Sequence, residues 1–352
     1  MLTLPLLSLI ATAADDGSCD AWLPAKIVAS VENNALDEIS GLVASRTHAN
    51  ILWGHNDAGN DALIYAIGVD GADNGEVFIY GAINEDWEDI AIGPCASTDD
   101  GCSCLYIGDI GDNDLTREGG VVYRLPEPDL VTGDGQGQGD APEALPFRYP
   151  DGAHDAEALL VHPISGETFI ITKNDPAGIY AFPSSPPAGG PEVELVLIAT
   201  LDLTAFGVDS PFITGADFSP RGRRVAVRTD ADVLLFDVST TMADAFSDGP
   251  DSLPDPPEQD AEAVAFSVDG TVLYLMGESV APELWEIRCV SMESDTADTA
   301  DPLMDCEEEE ESCGCRGSGA AMLLPLMLLW RRRRGSGRSG RLRVSGWGPL
   351  GE

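Results

Sequence analysis

Basic residues are scarce in this sequence. Lysine and arginine number 19 against 61 aspartates and glutamates, and only four histidines occur in 352 residues, leaving a formal net charge of −42. A surface this acidic cannot neutralise a phosphate backbone, so nucleic acid is excluded as a partner. His48, His55, His154 and His162 share no zinc-ligand spacing, which argues against a histidine-built zinc site. No G-x-S-x-G nucleophile elbow occurs, and no stretch carries a sustained helical period. What is present is apolar residues enough for a real core, at 43% of the chain, which rules out disorder throughout.

The charge is unevenly spread. Seven of the 19 basic residues lie at or beyond Arg331, and up to residue 330 the balance is 12 basic against 60 acidic residues. Such asymmetry reads first as a topological signal. At the start, the apolar run LTLPLLSLI (2–10) precedes Ala11-Thr12-Ala13, which fits an export signal cleaved near Ala13, although no Lys or Arg precedes the run. The alternative is a buried N-terminal strand. A short lead, 14–24, would follow the signal. Near the end, 290–312 is acidic and low in complexity, with Glu307 to Glu311 consecutive, and reads as an extended linker. Cys313-Gly314-Cys315, the apolar stretch 322–330 and four arginines (331–334) follow, then a basic tail, 335–352. The apolar stretch from Gly317 is about 14 residues, short for a permanent span. The arginines would hold the cytoplasmic side and place the acidic body outside.

This order of Gly-Cys motif, short hydrophobic helix and arginines resembles the C-terminal sorting segments of myxobacterial surface proteins (MYXO-CTERM type). The resemblance implies retention at the cell surface through processing at the cysteine, for which Cys313 and Cys315 are the matching positions; a plain tail anchor is the alternative. The tail beyond Arg334 departs from that pattern. The expectation is an exported protein at the outer surface or in the periplasm, associated with membrane or envelope through residues 313–334.

The body, 25–289, is a repeat. First strands read SGLVAS (40–45), EDIAIG (88–93), EALLVH (157–162), TGADFS (214–219) and EAVAFS (262–267). Second strands read ILWGHND (51–57), LYIGDIGDN (105–113), FIITKND (169–175), VAVRTD (225–230) and LYLMGE (273–278). Third strands carry an aromatic at one relative place: Tyr65, Tyr123, Tyr180, Phe236 and Trp285. Short strands broken by Gly, Pro and Asp turns at this rhythm predict an all-β fold, a single β-propeller of five blades. A sixth blade remains open if 129–150 or 241–258 hides one. Fourth strands are expected at 76–81, 144–150 and 193–203, and 133–144 reads as a flexible surface loop. KIVASVE (26–32) is expected to complete the last blade, which removes a free sheet edge by circular closure.

Of eight cysteines, Cys19 and Cys289 flank the chain ends that closure brings together, and a disulfide between them is expected. Cys95 has Cys102 or Cys104 as its partner across one turn. Cys306 is left for whichever of Cys102 and Cys104 does not pair with Cys95. Oxidising surroundings fit this usage. A Cys95/Cys102/Cys104 metal cluster lacks a fourth ligand nearby.

First strands line a propeller's channel, so carboxylates recurring there gather at one mouth. Glu38, Glu88, Glu157 and Glu262 enter first strands, with Asp37, Asp86, Asp89, Asp155 and Asp260 beside them; the fourth repeat has Thr214 instead. A second layer lies at second-strand ends: Asp57, Asp109, Asp112, Asp175 and Asp230, with Glu278. A ring of carboxylates repels itself unless a hard cation such as Ca2+ takes its oxygens. The competing reading is that these Asp residues cap turns. For catalysis, His55 and His154 each precede an acidic position and are candidate bases, with Glu88 and Glu157 as candidate acid or base groups. Lys173, Arg124 and Arg228 are the few cations available to an anionic ligand, and Arg228 has the alternative task of neutralising the ring.

EISGLVAS, DWEDIAIG, YIGDIGDN, DAEALLVHP and DAEAVAFS together resemble secreted bacterial propellers related to phytase-like and esterase-like families, over most of residues 35–290. That resemblance implies Ca2+ ions holding substrate phosphate in the phytase-like case, or one channel metal in the gluconolactonase-like case. Two functions follow as expectations: a surface-displayed binding or structural module with Ca2+ in its channel, taking a small molecule or surface ligand, or a metal-dependent hydrolase of phosphoesters or lactones.

Overall fold

The computed structural model describes residue 19 and residues 21–95, 102–130, 136–183, 189–254 and 260–290. The chain divides into two units, Met1–Ser294 and Asp295–Glu352. The expected export signal, the linker beyond Val290, Cys306, Cys313, Cys315 and the basic tail lie outside the described residues. Among the described residues no helix is long and apolar enough to cross a membrane.

Apolar runs of five to eight residues, rich in Ile, Val, Leu and aromatics, pair with their sequence neighbours as antiparallel ladders. Blade 1 comprises Ile39–Ala44, Ile51–Asn56, Leu63–Gly68 and Asp73–Phe78; blade 2, Trp87–Pro94, Ser103–Asp109, Gly119–Pro126 and Glu143–Arg148. Blade 3 comprises Ala156–Val161, Thr168–Thr172, Ala177–Ala181 and Val196–Leu201; blade 4, Ile213–Phe218, Arg224–Thr229, Val233–Asp237 and Asp251–Leu253. Blade 5 is Ala261–Phe266, Val272–Gly277 and Glu283–Val290, completed by Lys26–Ser30 from the beginning of the body. The fold is thus a five-bladed β-propeller in which the N-terminal strand closes the last blade.

Both segments that left a sixth blade open are accounted for within the five. Residues 241–258 hold a four-residue helix, Met242–Ala245, and the fourth strand of blade 4. Residues 129–150 hold Gln136–Gln138 and the fourth strand of blade 2. The 133–144 segment is not simply a surface loop: Gln136–Gln138 adds to blade 1 as a parallel fifth strand beside Glu76–Phe78. Val193–Glu194 adds likewise to blade 2, parallel to Phe147–Arg148. A polar, glycine-rich strand has little sequence signal because outer edges bury little on either face. For the same reason the fourth strands shift from the expected ranges while first strands match within a residue.

Each pair of neighbouring blades shares one apolar core. Trp53 and Ile64 of blade 1 meet Ile90 and Ile107 of blade 2; Leu160 and Phe169 of blade 3 meet Phe218 and Phe236 of blade 4; Leu42 and Leu52 meet Ala265 and Met276 across the closing seam. Burying such a side chain is worth about 1.5–3 kcal/mol. The third-strand aromatics are all buried. Four pair at equivalent ladder positions, but Phe236 sits two residues further along its strand, opposite Val225 rather than Val227. A two-residue shift preserves the face, so the repeat tolerates it. Cys19 bonds Cys289, tying the closing segment to blade 5, and Cys95 bonds Cys104; Cys102 is free and exposed.

Candidate metal centre at the channel mouth

The first strands of the five blades pack side by side around the axis. Each has the same irregularity near its start: the ladder to the second strand skips one residue, namely Ser40, Glu88, Glu157, Thr214 and Glu262 in turn. A bulge of this kind leaves its extra residue unpaired and re-aims its side chain. Two residues earlier stand Glu38, Asp86, Asp155, Phe212 and Asp260, whose carbonyls accept the amides of Asp57, Ile110, Lys173, Asp230 and Glu278. The fivefold repeat therefore builds two tiers at one mouth, a bulge tier and a rim tier.

This corrects the sequence assignment of blade 1. Glu38 belongs to the rim, where Asn60 donates to its Oε2 at 2.8 Å; Ser40 takes the bulge. Two blades thus carry a hydroxyl instead of a glutamate, and both do the same thing. Ser40 Oγ donates to the Glu88 carbonyl at 2.5 Å, and Thr214 Oγ1 to the Glu262 carbonyl at 3.1 Å. Each is followed by glycine. A Cβ on Gly41 would lie 2.7 Å from the Ile90 nitrogen, and one on Gly215 2.9 Å from the Glu262 carbonyl oxygen. Small residues at 40–41 and 214–215 let the next blade approach closely. Deeper in the channel, buried Asp89 accepts amides from Ile90 (2.8 Å), Leu159 (2.8 Å) and Ala216 (3.4 Å), linking three blades, and Asp217 accepts Phe266 at 2.7 Å. Burial pushes Asp217 up to about 7 and Asp89 well above the ordinary range.

The structure brings five carboxylates from three blades together. Oxygens of Asp57, Asp86 and Glu88 lie within 4.8 Å of one another, as do those of Glu88, Asp155 and Glu157. Ca2+ takes oxygens at about 2.4 Å, so ligands across one ion stand up to roughly 4.8 Å apart. The donor set, all hard oxygen, fits such a cation and leaves Glu88 shared between the two groups. Gly111 leaves room for it: a Cβ there would lie 2.1 Å from Glu88 Oε1 and 2.6 Å from Asp86 Oδ2. Asp155 is also held by the Asp112 amide at 2.8 Å.

Without a cation these groups resist ionisation. Burial, then the Glu157 and Asp57 charges, holds Glu88 well above its usual range. Burial pushes Asp86 up to about 6, reinforced by Asp57, and also raises Asp57. Glu157 is pushed up to about 7 by burial, opposed by Lys173, whose Nζ pairs with its Oε1. Glu262 is pushed up to about 9 by burial and then by Glu157 and Glu278.

Other sequence candidates lie elsewhere or are otherwise engaged. Asp109 pairs with Arg117 at 2.7 Å. Asp112 caps its own loop, accepting the amides of Thr116 (2.9 Å) and Arg117 (2.6 Å). Asp175 accepts the Leu203 amide at 2.8 Å and the Thr204 hydroxyl at 2.6 Å. Asp230 accepts Ser210 Oγ at 3.2 Å on the mouth's far side. The turn-capping role that short Asp side chains favour thus takes Asp112 and Asp175. His55 is fully buried beside the Trp87 ring and pushed down to about 4, a neutral packing residue rather than a base at the mouth. His154 turns to Asp151 and the Tyr180 hydroxyl, each at 3.0 Å, outside the carboxylate group. Arg124 pairs with Glu143 on blade 2, and Arg228 is buried in blade 4 opposite Gly215. The sequence pattern missed Ser40 and Gly111; the alignment of the first strands, in which Ser40 holds the place of Glu88, Glu157, Thr214 and Glu262, was the available signal for the first, and none existed for the second.

No family model matches this chain, and no curated protein does. Among solved structures, a gluconolactonase from Xanthomonas campestris is similar at 13% identity, covering 72% of this chain and 72% of that one, with a TM-score of 0.40. A structural-genomics target under a provisional gluconolactonase name shows 15% identity over 76% of this chain and 92% of that one, TM-score 0.38. A chain of a mitotic checkpoint complex shows 15% identity over 71% and 63%, TM-score 0.33. Likenesses this loose lend no weight to an assignment of activity.

Proposed function

We propose that this chain is an exported, surface-anchored propeller that binds Ca2+ at its channel mouth and acts as a binding or structural module, presenting the cation to a small molecule or surface ligand. The observation that carries this reading is the convergence of Asp57, Asp86, Glu88, Asp155 and Glu157 from three blades within ligand-to-ligand distances. Bound there, the cation would supply Lewis-acid attraction for ligand oxygens. Lys173 orients Glu157 and limits the negative charge around it. Calorimetric titration of the chelator-stripped protein with Ca2+, paired with melting curves, tests it. Identical melting with and without chelator, and no heat of binding, would sink the reading.

A second reading is a metal-dependent hydrolase of phosphoesters or lactones. What favours it is Glu157, held near pH 7 beside a lysine, a suitable proton donor or acceptor. Turnover of a phosphomonoester or lactone, abolished by Glu88→Gln and Glu157→Gln, would select it. Export and anchoring are proposed on the two disulfides, which suit an oxidising compartment, and on the 313–334 pattern. Loss of surface retention in a Cys313→Ser, Cys315→Ser double variant tests the anchor.

A further inference from the structure

A second concavity lies at the other face of the propeller, between blades 5 and 1. First strands begin at the carboxylate mouth and run about six residues, so this face is roughly 20 Å away. The cleft has a volume of ≈ 610 Å³ and is lined by the turn after the first strand of blade 1 and by its counterpart in blade 5. Its charged lining is the reverse of the mouth: Arg46 and Arg288 against Asp269, with His48 beside them. That is unusual in a chain with 61 acidic and 19 basic residues.

The arrangement of these groups is specific. Arg46 Nε is buried without a hydrogen-bond partner. Its backbone amide is fixed by Glu127 Oε2 at 3.2 Å, and Glu127 also receives Trp53 Nε1 at 3.0 Å. Arg46 therefore stands on a braced loop. Asp269 is occupied by Ser267, at 2.7 Å, and by the Thr271 amide and hydroxyl at 3.0 and 2.7 Å, so it caps its own turn. Arg288 is held in a two-point pair with Glu286 at 2.7 and 2.6 Å. Arg46 lines the cleft and its charge acts on the buried Asp217, and an oxyanion entering the cleft would give its guanidinium a charge-assisted acceptor. Leu52 and Val268 give the same cleft apolar wall.

We propose that this cleft is a binding site for a small organic oxyanion, a carboxylate or phosphate joined to an apolar body, with Arg46 as its principal anchor. It is independent of the cation reading at the opposite mouth. Phenyl phosphate, benzoate and inorganic phosphate are the probes, titrated by calorimetry into the full chain held in chelator. Phenyl phosphate or benzoate should bind more tightly than inorganic phosphate. Arg46→Gln should weaken binding about tenfold or more. Val268→Trp, at a residue 53% exposed, should fill the cleft and abolish binding without disturbing Arg46, which guards against a variant that merely fails to fold. Glu88→Gln should leave binding unchanged. No saturable binding of any probe at millimolar concentration, or equal binding by wild type and Arg46→Gln, overturns the proposal; so does binding lost in Glu88→Gln but kept in Val268→Trp.

Discussion

Glu262→Gln is the most informative single change at the mouth. Glu262 sits in the bulge of blade 5, where burial and the charges of Glu157 and Glu278 push it from 4.5 up to about 9. The unfolded chain ionises this group near its ordinary value, while the folded, metal-free chain holds the proton. Its contribution to stability is therefore complete below that ordinary value and is lost as pH rises toward about 9. Inside the window one retained proton costs about 1.4 kcal/mol per pH unit, or about 3 kcal/mol from about pH 5.5 to about pH 7.5. Partial solvent access at the mouth reduces this to about 1–2 kcal/mol, a few degrees in Tm. Circular dichroism melts in chelator should show wild-type Tm falling with pH and the variant falling less by that amount. Glutamine keeps the shape and cannot ionise, so general self-repulsion of the acidic body is common to both curves. Excess Ca2+ should flatten the wild-type curve, because the cation replaces protons among the neighbouring carboxylates. Parallel metal-free curves for wild type and variant would refute the reasoning.

Other outcomes follow from the same geometry. Gly111→Ala should weaken Ca2+ binding, read by calorimetry, while the metal-free melt changes little, since its Cβ meets carboxylate ends rather than backbone. Gly41→Ala meets the Ile90 nitrogen at 2.7 Å and His55 Nε2 at 2.5 Å, and should destabilise the protein by about 1–3 kcal/mol in denaturant melts. Reducing the Cys19–Cys289 bond, or Cys19→Ser, should cost about 2–4 kcal/mol and open the closing strand to hydrogen exchange. Asp89→Leu leaves three backbone amides without their acceptor and should prevent recovery of folded protein.

First strands were legible within a residue because they are buried on both faces and packed around the axis, where composition is most constrained. The third-strand aromatics were legible because they are buried, the turns because Gly, Pro and Asp mark them. Outer strands were not: Asp251–Leu253 buries only Leu253 of its three residues, and Gln136–Gln138 is a short polar segment, so little in the sequence marks either. Among the site candidates, Glu88, Glu157 and Asp57 converge, whereas Asp112 and Asp175 cap turns. Composition cannot separate those roles, since a carboxylate suits a backbone amide and a cation alike.

Sequence by itself determined the class of fold, the number of repeats, closure by an early strand and the set of carboxylates entering the channel, because repetition of one strand layout admits few architectures. Only the tertiary structure decided which carboxylates meet. A bulge in each first strand turns one residue per blade away from the ladder, and that register shift carries no mark in composition. It places Ser40 rather than Glu38 in the inner tier and brings Glu88 to both Asp57 and Glu157. The same closure that joins blade 5 to blade 1 sets Arg46 beside Arg288 at the far face, a pairing that 241 intervening residues of sequence do not announce.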